Sequence, residues 1–400
     1  MRIRGVLACC VLVGCAGEGT SSVTHAVIDG PFAYLDGADV AAGSVRGVTS
    51  IDVGDLSGDG NPDVVVLEGG RHAGDRVTFA WFEAPSSEGR DWTRHEFPRP
   101  DPFRPFVGAA KVGDVDGDGD QDVVVSMDNH SGSRRSAYIY WLENDGADWR
   151  VQSIARDLRA HHINDMELTD LDDDGRLDVI VRALEPNELR LYFQDASGWT
   201  ERILDASPYG GTGEGFSVGD IDRRGAIDIT ICGHWLEAPS DPRRENYRAH
   251  DVDADFKDTN ANVKEAVGDI NGDGRNDVVL SPAEGFRGGG NHVLAWYEAP
   301  SDPTGRWTQH VVERDFNGGH VVRLLDFDGD GDLDLLSGVA WSRWGQTANI
   351  TLYPNRDGAF GSAQVLVSGQ GLYNVGVGDI GRDGDLDFVG QDTYSGSSRP

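Results

Sequence analysis

Cysteine is scarce in this 400-residue chain, which has four cysteines against 54 glycines. Cys9, Cys10 and Cys15 all lie near the N-terminus, so Cys232 is the single thiol in the rest of the chain. A lone cysteine has no partner in its own chain, and disulfides are therefore excluded as the main source of stability. Long apolar runs are also missing, because the stretch at residues 6–14 is too short to span a bilayer.

Basic residues are few as well. The chain has 35 lysines and arginines against 68 aspartates and glutamates, and its formal net charge is −33. Such an acidic balance argues against nucleic acid and against anionic lipid as partners. The sequence shows no Ser/His/Asp arrangement and no Cys/His zinc spacing, and the glycine-rich GTGEG at residues 211–215 leads into a predicted strand rather than a helix. These classes of catalytic, metal and phosphate site are therefore not expected.

The N-terminus indicates export. Arg2 and Arg4 precede the apolar stretch, which ends in LVGC and has the shape of a signal peptide. LVGC resembles a bacterial lipobox, which implies cleavage before Cys15 and lipidation of its thiol. We therefore predict a signal peptide at residues 1–14, a lipidated tether at 15–23 and an outer-membrane or cell-envelope location, with contact to the membrane only through the lipid. An ordinary secretory signal with a chance cysteine is the alternative.

A nine-residue acidic phrase is the main feature of the chain. It occurs seven times, and we number the copies loops 1 to 7. The copies are DLSGDGNPD from Asp55, DVDGDGDQD from Asp114, DLDDDGRLD from Asp170, DIDRRGAID from Asp220, DINGDGRND from Asp269, DFDGDGDLD from Asp326 and DIGRDGDLD from Asp379. The pattern puts oxygen ligands at positions 1, 3, 5 and 9, with a glycine at position 6 where the chain turns. Many oxygens in a flexible ring favour calcium over magnesium.

Two other kinds of calcium-binding motif fit the repeated phrase less well than a propeller blade does. An EF-hand carries a bidentate Glu at position 12, but the residues there are Val66, Val125, Val181, Leu280 and Ser337, mostly within β-branched runs such as DVVVL. A nonapeptide β-roll repeats every nine residues, whereas these copies recur after 59, 56, 50, 49, 57 and 53 residues. That period fits one four-stranded propeller blade. We therefore predict an all-β, seven-bladed β-propeller over residues 24–400, with four-stranded blades and calcium-binding hairpin loops.

The chain at this point resembles the FG-GAP or VCBS repeat proteins, whose calcium-binding blades are similar to those of the integrin α-subunit propeller. The resemblance is carried by GFSVGD before loop 4, by AVGDINGDGRND at residues 266–277, and by the GD that closes five of the seven inner strands. It covers nearly the whole mature chain. It implies the fold and the metal, and it says little about the biological role.

The loops are not equivalent as calcium sites. Loops 1, 2, 3, 5 and 6 have a side-chain oxygen at every ligand position, and we expect about five calcium ions there. Their ligands are Asp55, Ser57, Asp59 and Asp63; Asp114, Asp116, Asp118 and Asp122; Asp170, Asp172, Asp174 and Asp178; Asp269, Asn271, Asp273 and Asp277; and Asp326, Asp328, Asp330 and Asp334. Loop 7 has Gly381 at position 3, so Asp379, Asp383 and Asp387 should form a weaker sixth site. Loop 4 has Arg224 at position 5, and we expect it to be metal-free, with Arg224 paired to Asp220 or Asp228.

The repeat explains most of the aromatic residues as blade packing. It also places His25, His95, His250 and His310 in the same slot of strand 4. THAVID at residues 24–29 looks like a fourth strand that precedes the first blade, so we expect it to close the ring as the outer strand of blade 7. Blade 7 itself has no evident third strand. A truncated chain and an imperfect closure both remain open.

The residues that the repeat does not explain are candidates for ligand binding on the face opposite the calcium loops. They are His161, His162, His320, Arg104, Trp341 and Trp344. We expect the three histidines to approach the central axis. Three functions stay open: a recognition surface for a protein or glycan partner at the cell surface, which we favour; a carbohydrate-active propeller enzyme of the polysaccharide lyase or sugar dehydratase type, with a metal/His site; and a purely structural role.

Overall fold

The fold was analysed in a computed structural model. It describes residues 6–12, 32–35, 48–69, 78–85, 92–104, 106–129, 135–146, 148–210, 213–253, 256, 262–283, 292–316, 318–340, 347–369, 371–382 and 384–391. Apart from one short 3₁₀ helix, Ser207–Tyr209, the regular structure in these ranges is β-strand. Among them we find no helix that is long and apolar enough to cross a membrane.

In the described ranges the chain forms thirty strands, and most belong to four-stranded antiparallel blades. Two N-terminal strands come first, β1 (Val6–Leu12) and β2 (Phe32–Leu35). Blade 1 has β3 (Val48–Gly54), β4 (Asp63–Glu68), β5 (Phe79–Glu83) and β6 (Thr93–Glu96). Blade 2 has β7 (Phe106–Gly113), β8 (Asp122–Asp128), β9 (Ala137–Asn144) and β10 (Trp149–Leu158). Blade 3 has β11 (His161–Thr169), β12 (Asp178–Glu185), β13 (Glu188–Asp195) and β14 (Gly198–Asp205).

The second half of the chain repeats this arrangement. Blade 4 has β15 (Ser217–Gly219), β16 (Asp228–Ile231), β17 (His234–Glu237) and β18 (Arg248–Asp251). Blade 5 has β19 (Val263–Gly268), β20 (Asp277–Pro282), β21 (Val293–Glu298) and β22 (Thr308–Arg314). Blade 6 has β23 (Gly319–Leu325), β24 (Asp334–Val339), β25 (Asn349–Tyr353) and, after the short hairpin β26 (Asn355–Arg356) and β27 (Ala359–Phe360), β28 (Gln364–Ser368). In each blade the strands pair in chain order, as a propeller requires.

The structure has six complete blades and not the predicted seven. The seventh position holds only the antiparallel pair β29 (Asn374–Gly378) and β30 (Asp387–Gln391). The next neighbour of β30 is β1, which runs parallel to it, and β2 is parallel to β1. Within the part of the chain that the structure describes, this sheet therefore has no antiparallel third and fourth strands. Residues 24–29, predicted as the closing strand, lie outside the described residues, and the signal peptide and tether stay predictions.

The valine-rich second strands form the cores between blades. Val64, Val65 and Val66 of β4 are fully buried, and Val123, Val124 and Val125 of β8 are too. A strand with one wet face would alternate between buried and exposed residues, but a blade packs against a neighbour on both faces. The side chains on both faces of the second strand are therefore buried, which explains the continuous β-branched runs.

The first strands of successive blades pack side by side around the central axis and close a ring. A Cβ built on Gly54 would lie 2.5 Å from Val112 Cγ1 of the next blade, and one on Gly378 would lie 2.8 Å from Val53 Cγ1 of blade 1. Only glycine permits these approaches, which explains the glycine of the GD signature. Asn374 Nδ2 also donates a hydrogen bond of 3.2 Å to the Thr49 carbonyl. β29 thus completes the ring against β3.

The strand 4 histidines take part in a repeated contact. In blade 4, His250 stacks on Trp235 at 4.5 Å, and its Nε2 lies 2.6 Å from Glu237 Oε2. Blades 1 and 5 repeat the contact with Trp81, His95 and Glu83, and with Trp296, His310 and Glu298. The interpretation of these residues as blade packing is therefore confirmed for blades 1, 4 and 5. His25 lies outside the described residues.

Candidate metal loops and the axial pocket

Each acidic loop is a tight turn organised by its first aspartate. In loop 2 the carboxylate of Asp114 accepts hydrogen bonds from the backbone N–H groups of Gly117, Asp118 and Gly119, at 2.8, 3.1 and 3.1 Å. The glycine at position 6 has a positive φ, +100° for Gly119, which other residues adopt only with strain. The role predicted for this glycine is therefore confirmed.

The ninth aspartate has a structural role that the ligand pattern alone does not suggest. Asp122 is fully buried, and its two oxygens accept the Val115 N–H at 3.0 Å and the Asn144 N–H at 2.8 Å. The first of these donors lies in the loop and the second at the end of strand 3. The same pair of bonds is made by Asp63, Asp178, Asp228, Asp277 and Asp334. Position 9 therefore ties each loop to the body of its own blade.

Four loops bring three carboxylates together. In each one the ligand oxygens of positions 1, 3 and 9 lie within 4.8 Å of one another. The groups are Asp114, Asp116 and Asp122; Asp170, Asp172 and Asp178; Asp220, Asp222 and Asp228; and Asp326, Asp328 and Asp334. An all-carboxylate set of this size suits a hard cation. The position 5 residues Asp118, Asp174 and Asp330 are outside these groups.

Loops 1, 5 and 7 differ from these four. Ser57 and Asn271 stand at position 3 of loops 1 and 5, so these loops have no third carboxylate there, although both keep the same turn. In loop 7, Asp379 accepts the Gly384 N–H at 3.1 Å and Asp387 accepts the Gly381 N–H at 2.7 Å. Asp383 lies outside the described residues. Whether Asp55, Asp59, Asp269, Asp273 and the loop 7 aspartates bind an ion remains a prediction.

The electrostatics of the loops favour an added cation. Burial raises the pKa of Asp122, Asp178, Asp228 and Asp277 to about 7 and that of Asp334 to about 6, while hydrogen bonds from backbone N–H groups oppose this rise. A divalent ion between the carboxylates would favour their charged forms. In loop 3, Oδ1 of Asp172 is buried without a hydrogen-bond partner. An all-oxygen donor set with an unpartnered buried oxygen fits a bound calcium ion.

Loop 4 corrects the sequence interpretation. Its position 3 residue, Asp222, belongs to a carboxylate group like those of loops 2, 3 and 6. The Arg224 guanidinium pairs with Asp222 and with Glu237, and not with the side chains of Asp220 or Asp228 as predicted. Only its backbone N–H reaches Asp220, at 3.0 Å. Aspartates at positions 1, 3 and 9 of DIDRRGAID were the signal for this group, and the arginine at position 5 does not disperse them.

An axial pocket of about 340 Å³ lies within the ring of first strands. Its charged lining residues are largely paired across blades. Lys111 of blade 2 lies 3.0 Å from Glu167 of blade 3, and Lys264 of blade 5 lies 2.7 Å from Asp165 of blade 3. Burial raises the pKa of Asp52, whose carboxylate accepts the Val112 N–H at 2.8 Å. The pocket wall is thus polar, and two of its lysines are neutralised by carboxylates of another blade.

His320 lies at this axis, as predicted. Its Nδ1 donates to the Tyr373 carbonyl at 2.8 Å, and its Nε2 is 3.5 Å from Glu214 Oε2. Glu214 is buried and also accepts a bond of 2.9 Å from Asn164 Nδ2. Burial alone would raise the pKa of Glu214, but His320 and Lys264 outweigh it and lower that pKa to about 2. The sequence carried no signal for Glu214, which reaches the axis from a loop before β15.

The other candidates are not brought to the axis. His161 Nε2 lies 3.3 Å from Glu185 Oε2, and the His162 ring stacks on Phe106 at 5.4 Å. The expectation that three histidines converge there is therefore wrong for these two, because neither lines the axial pocket and their contacts are with Glu185 of β12 and Phe106 of β7. Arg104 donates to the Tyr138 hydroxyl at 3.1 Å. Trp341, Trp344 and Cys15 lie outside the described residues.

A family model described as "FG-GAP-like repeat" matches residues 114–181, 170–231 and 269–337. Each match starts at the first aspartate of one loop and ends in the strand that follows the next loop. The chain contains FG-GAP-like repeats. Repeats of this family commonly bind calcium, and several of the aspartate groups here could hold a metal ion. No curated protein sequence matched the chain.

Two of the solved structures that match the chain have low sequence identity and low TM-scores. The V. cholerae biofilm matrix protein Bap1 is 17% identical with a TM-score of 0.39, and the match covers 64% of this chain and 39% of that one. A mutant of Aleuria aurantia lectin in complex with alpha-methyl-L-fucoside is 12% identical with a TM-score of 0.38, covering 79% and 95%. The chain thus spans about two fifths of the biofilm protein's length.

Proposed function

We propose that this chain is an exported, calcium-binding β-propeller that acts as a binding or adhesion module at the cell envelope. The observation that carries the calcium part is the set of four carboxylate groups, each with three oxygens within 4.8 Å, in the hairpins between first and second strands. Asp114, Asp116 and Asp122 would hold the ion in loop 2, and the equivalent aspartates would hold it in loops 3, 4 and 6. The positive charge of the ion would offset the repulsion among these carboxylates.

Calcium binding is tested with one loop and a matched charge control. Asp116→Asn removes a ligand of loop 2, whereas Asp120→Asn removes the same charge from position 7, where only the backbone carbonyl is expected to bind. Isothermal titration should show that Asp116→Asn loses about one calcium per chain and that Asp120→Asn keeps it. Thermal melts should show a large loss of stability in chelator. A wild-type protein that binds no calcium at millimolar concentration would overturn this proposal.

The envelope location rests on the N-terminal sequence. Cys15→Ser removes the lipid acceptor of the LVGC motif and changes no residue of blades 1 to 6. In fractionated cells the wild-type protein should accompany the membranes, and the variant should become a soluble exported protein. If both variants remain in the same fraction, the lipid anchor is not what holds the protein.

A recognition role for a surface protein or glycan agrees with the ring architecture, which presents loops and a polar axial pocket. The alternative is a carbohydrate-active enzyme with a metal/His site opposite the calcium loops. The described residues give it less support, since their metal-ligand groups consist of aspartates in the hairpins and contain no histidine. Glycan arrays probed in calcium and in chelator, followed by turnover assays on any glycan bound, test the two functions together.

A further inference from the structure

Loop 3 differs from loops 2 and 6 because an arginine of the next blade enters it. Arg243 belongs to the turn between β17 and β18 of blade 4. Its Nε donates to Asp172 Oδ2, its Nη1 to Asp195 Oδ1 at 2.6 Å, and its Nη2 lies 3.4 Å from Asp174 Oδ2. The guanidinium also lies over the Phe193 ring, with its Cζ 4.9 Å from the ring centroid. One side chain of blade 4 therefore contacts positions 3 and 5 of a loop that belongs to blade 3.

The contact leaves one buried ligand oxygen of loop 3 available to an ion. The Asp172 side chain is about nine-tenths buried; Arg243 takes its Oδ2, and its Oδ1 has no hydrogen-bond partner. In the described structure, the equivalent Asp116 of loop 2 and Asp328 of loop 6 make no ion pair with an arginine or lysine. Three carboxylates of similar geometry thus have two different electrostatic environments.

We propose that Arg243 is a built-in counter-ion of loop 3, which competes with calcium for Asp172 and Asp174 and so links calcium binding to the contact between blades 3 and 4. This inference rests on the proposed calcium binding and adds an order of affinities to it. When no calcium is bound, the planar guanidinium offsets the repulsion among the loop 3 carboxylates and joins the blades. When calcium enters, it meets carboxylates that are already partly neutralised.

The size of the effect follows from Coulomb's law. A divalent ion and a guanidinium about 5 Å apart at the protein surface repel each other enough to weaken binding by roughly 10-fold, even with a dielectric constant near that of water. Loop 3 should therefore fill at a higher calcium concentration than loop 2. A loop chosen from its sequence as one of the strongest sites becomes one of the weaker ones.

The test is Arg243→Gln, with Arg244→Gln as the matched control. The two variants change net charge equally, but Arg244 is 85% exposed and its ion pair is with Asp241 at 3.6 Å. In a calcium titration, Arg243→Gln should raise the calcium affinity of one site by about 10-fold, and Arg244→Gln should raise the affinity of no site. In chelator, Arg243→Gln should melt below the wild type and the control, and saturating calcium should narrow the difference.

Two further variants assign the effect to loop 3. In an Asp170→Asn background the loop 3 site is disabled, and Arg243→Gln should no longer change any calcium affinity. Arg243→Lys keeps the charge and loses the planar fork, so it should leave calcium affinity near the wild-type value while lowering the melting temperature in chelator. This variant also gives a readout if Arg243→Gln does not fold.

The outcomes separate the inference from the function on which it rests. If the wild type binds calcium and Arg243→Gln has the same affinities as Arg244→Gln, or weaker ones, the counter-ion role is wrong while calcium binding stands. If affinity rises equally with and without Asp170→Asn, the arginine acts on another loop and the assignment to loop 3 is wrong. If the wild type binds no calcium, both ideas fail.

Discussion

Removal of one buried hydroxyl between blades 2 and 3 should cost more stability than any exposed polar substitution. Ser126 of β8 is fully buried; it accepts the Ala109 N–H at 2.9 Å and donates to the Ile163 carbonyl of blade 3 at 2.8 Å. Ser126→Ala leaves a buried donor and a buried acceptor without that partner. At about 1–3 kcal/mol for each unsatisfied group, the variant should lose about 2–6 kcal/mol of unfolding free energy.

The repeat supplies a graded series for this test. Ser281 stands at the equivalent place in blade 5 and donates one bond of 3.2 Å to the Gly319 carbonyl. Ser281→Ala should therefore cost about 1–3 kcal/mol. Ser240 is exposed and bonds to Glu245, and Ser240→Ala should change stability by less than about 0.5 kcal/mol.

Thermal and urea midpoints of the four proteins give the order of stability in saturating calcium and again in chelator. The predicted order is wild type and Ser240→Ala highest, then Ser281→Ala, then Ser126→Ala. The order should not depend on calcium, because these serines lie outside the loops. A Ser126→Ala protein as stable as the Ser240→Ala control would refute the claim that side-chain hydrogen bonds between blades hold the ring together.

Three further outcomes follow from single contacts. Gly119→Ala should lower the melting temperature in calcium and in chelator alike, at a cost of about 1–2 kcal/mol, because alanine is strained at a φ of +100°; equal melts would show that the loop relaxes. The unfolding free energy of His250→Gln should stay within about 1 kcal/mol of the wild-type value, since Gln152 of blade 2 makes the equivalent hydrogen bond to a glutamate at 2.8 Å. His250→Ala should lose about 1–2 kcal/mol, because both the hydrogen bond and the ring stacking are removed. Because the pKa of Glu214 is lowered to about 2 from 4.5, its carboxylate should contribute stability that is complete above pH 4.5 and is lost as pH falls to about 2. In melts across this range, the melting temperature of Glu214→Gln should change less with pH than that of the wild type, and an equal change would contradict the assignment.

The hairpins were predictable because their chemistry is local. A glycine at position 6, an aspartate at position 1 that accepts nearby N–H groups, and the β-branched run that follows are all contained in about twelve residues. The spacing of the copies then indicates a blade. The glycine of the GD signature can also be seen in the local sequence. The reason for it cannot, because Gly54 makes room for Val112 Cγ1 of the next blade.

The seventh blade was mispredicted because ring closure depends on partners that are far apart in the chain. The repeat pattern of loop 7 indicates β29 and β30 correctly, but it contains nothing that specifies their outer neighbours. In the structure β1 takes that place in parallel orientation, which no local antiparallel pattern could indicate.

The candidate site was predicted only in part for the same reason. His320 was placed at the axis from its position before a first strand, whereas the contacts of His161 with Glu185 and of His162 with Phe106, away from the axis, depend on the folded sheets. Asp172 and Asp174 were identified as ligands from their loop. Arg243, about 70 residues later, has no motif around it that would connect it to them.

The junction between β29 and β3 has a consequence for how the molecule assembles. The Asn374–Thr49 bond joins residues 325 positions apart, so this junction has a far higher contact order than those between consecutive blades. The entropy of closing so long a segment must be paid before the contact forms, which makes it a late event in folding. The same junction should open first in native-state hydrogen exchange. During folding, the blades should form first as an open array, and the ring should close last, when β29 packs against β3.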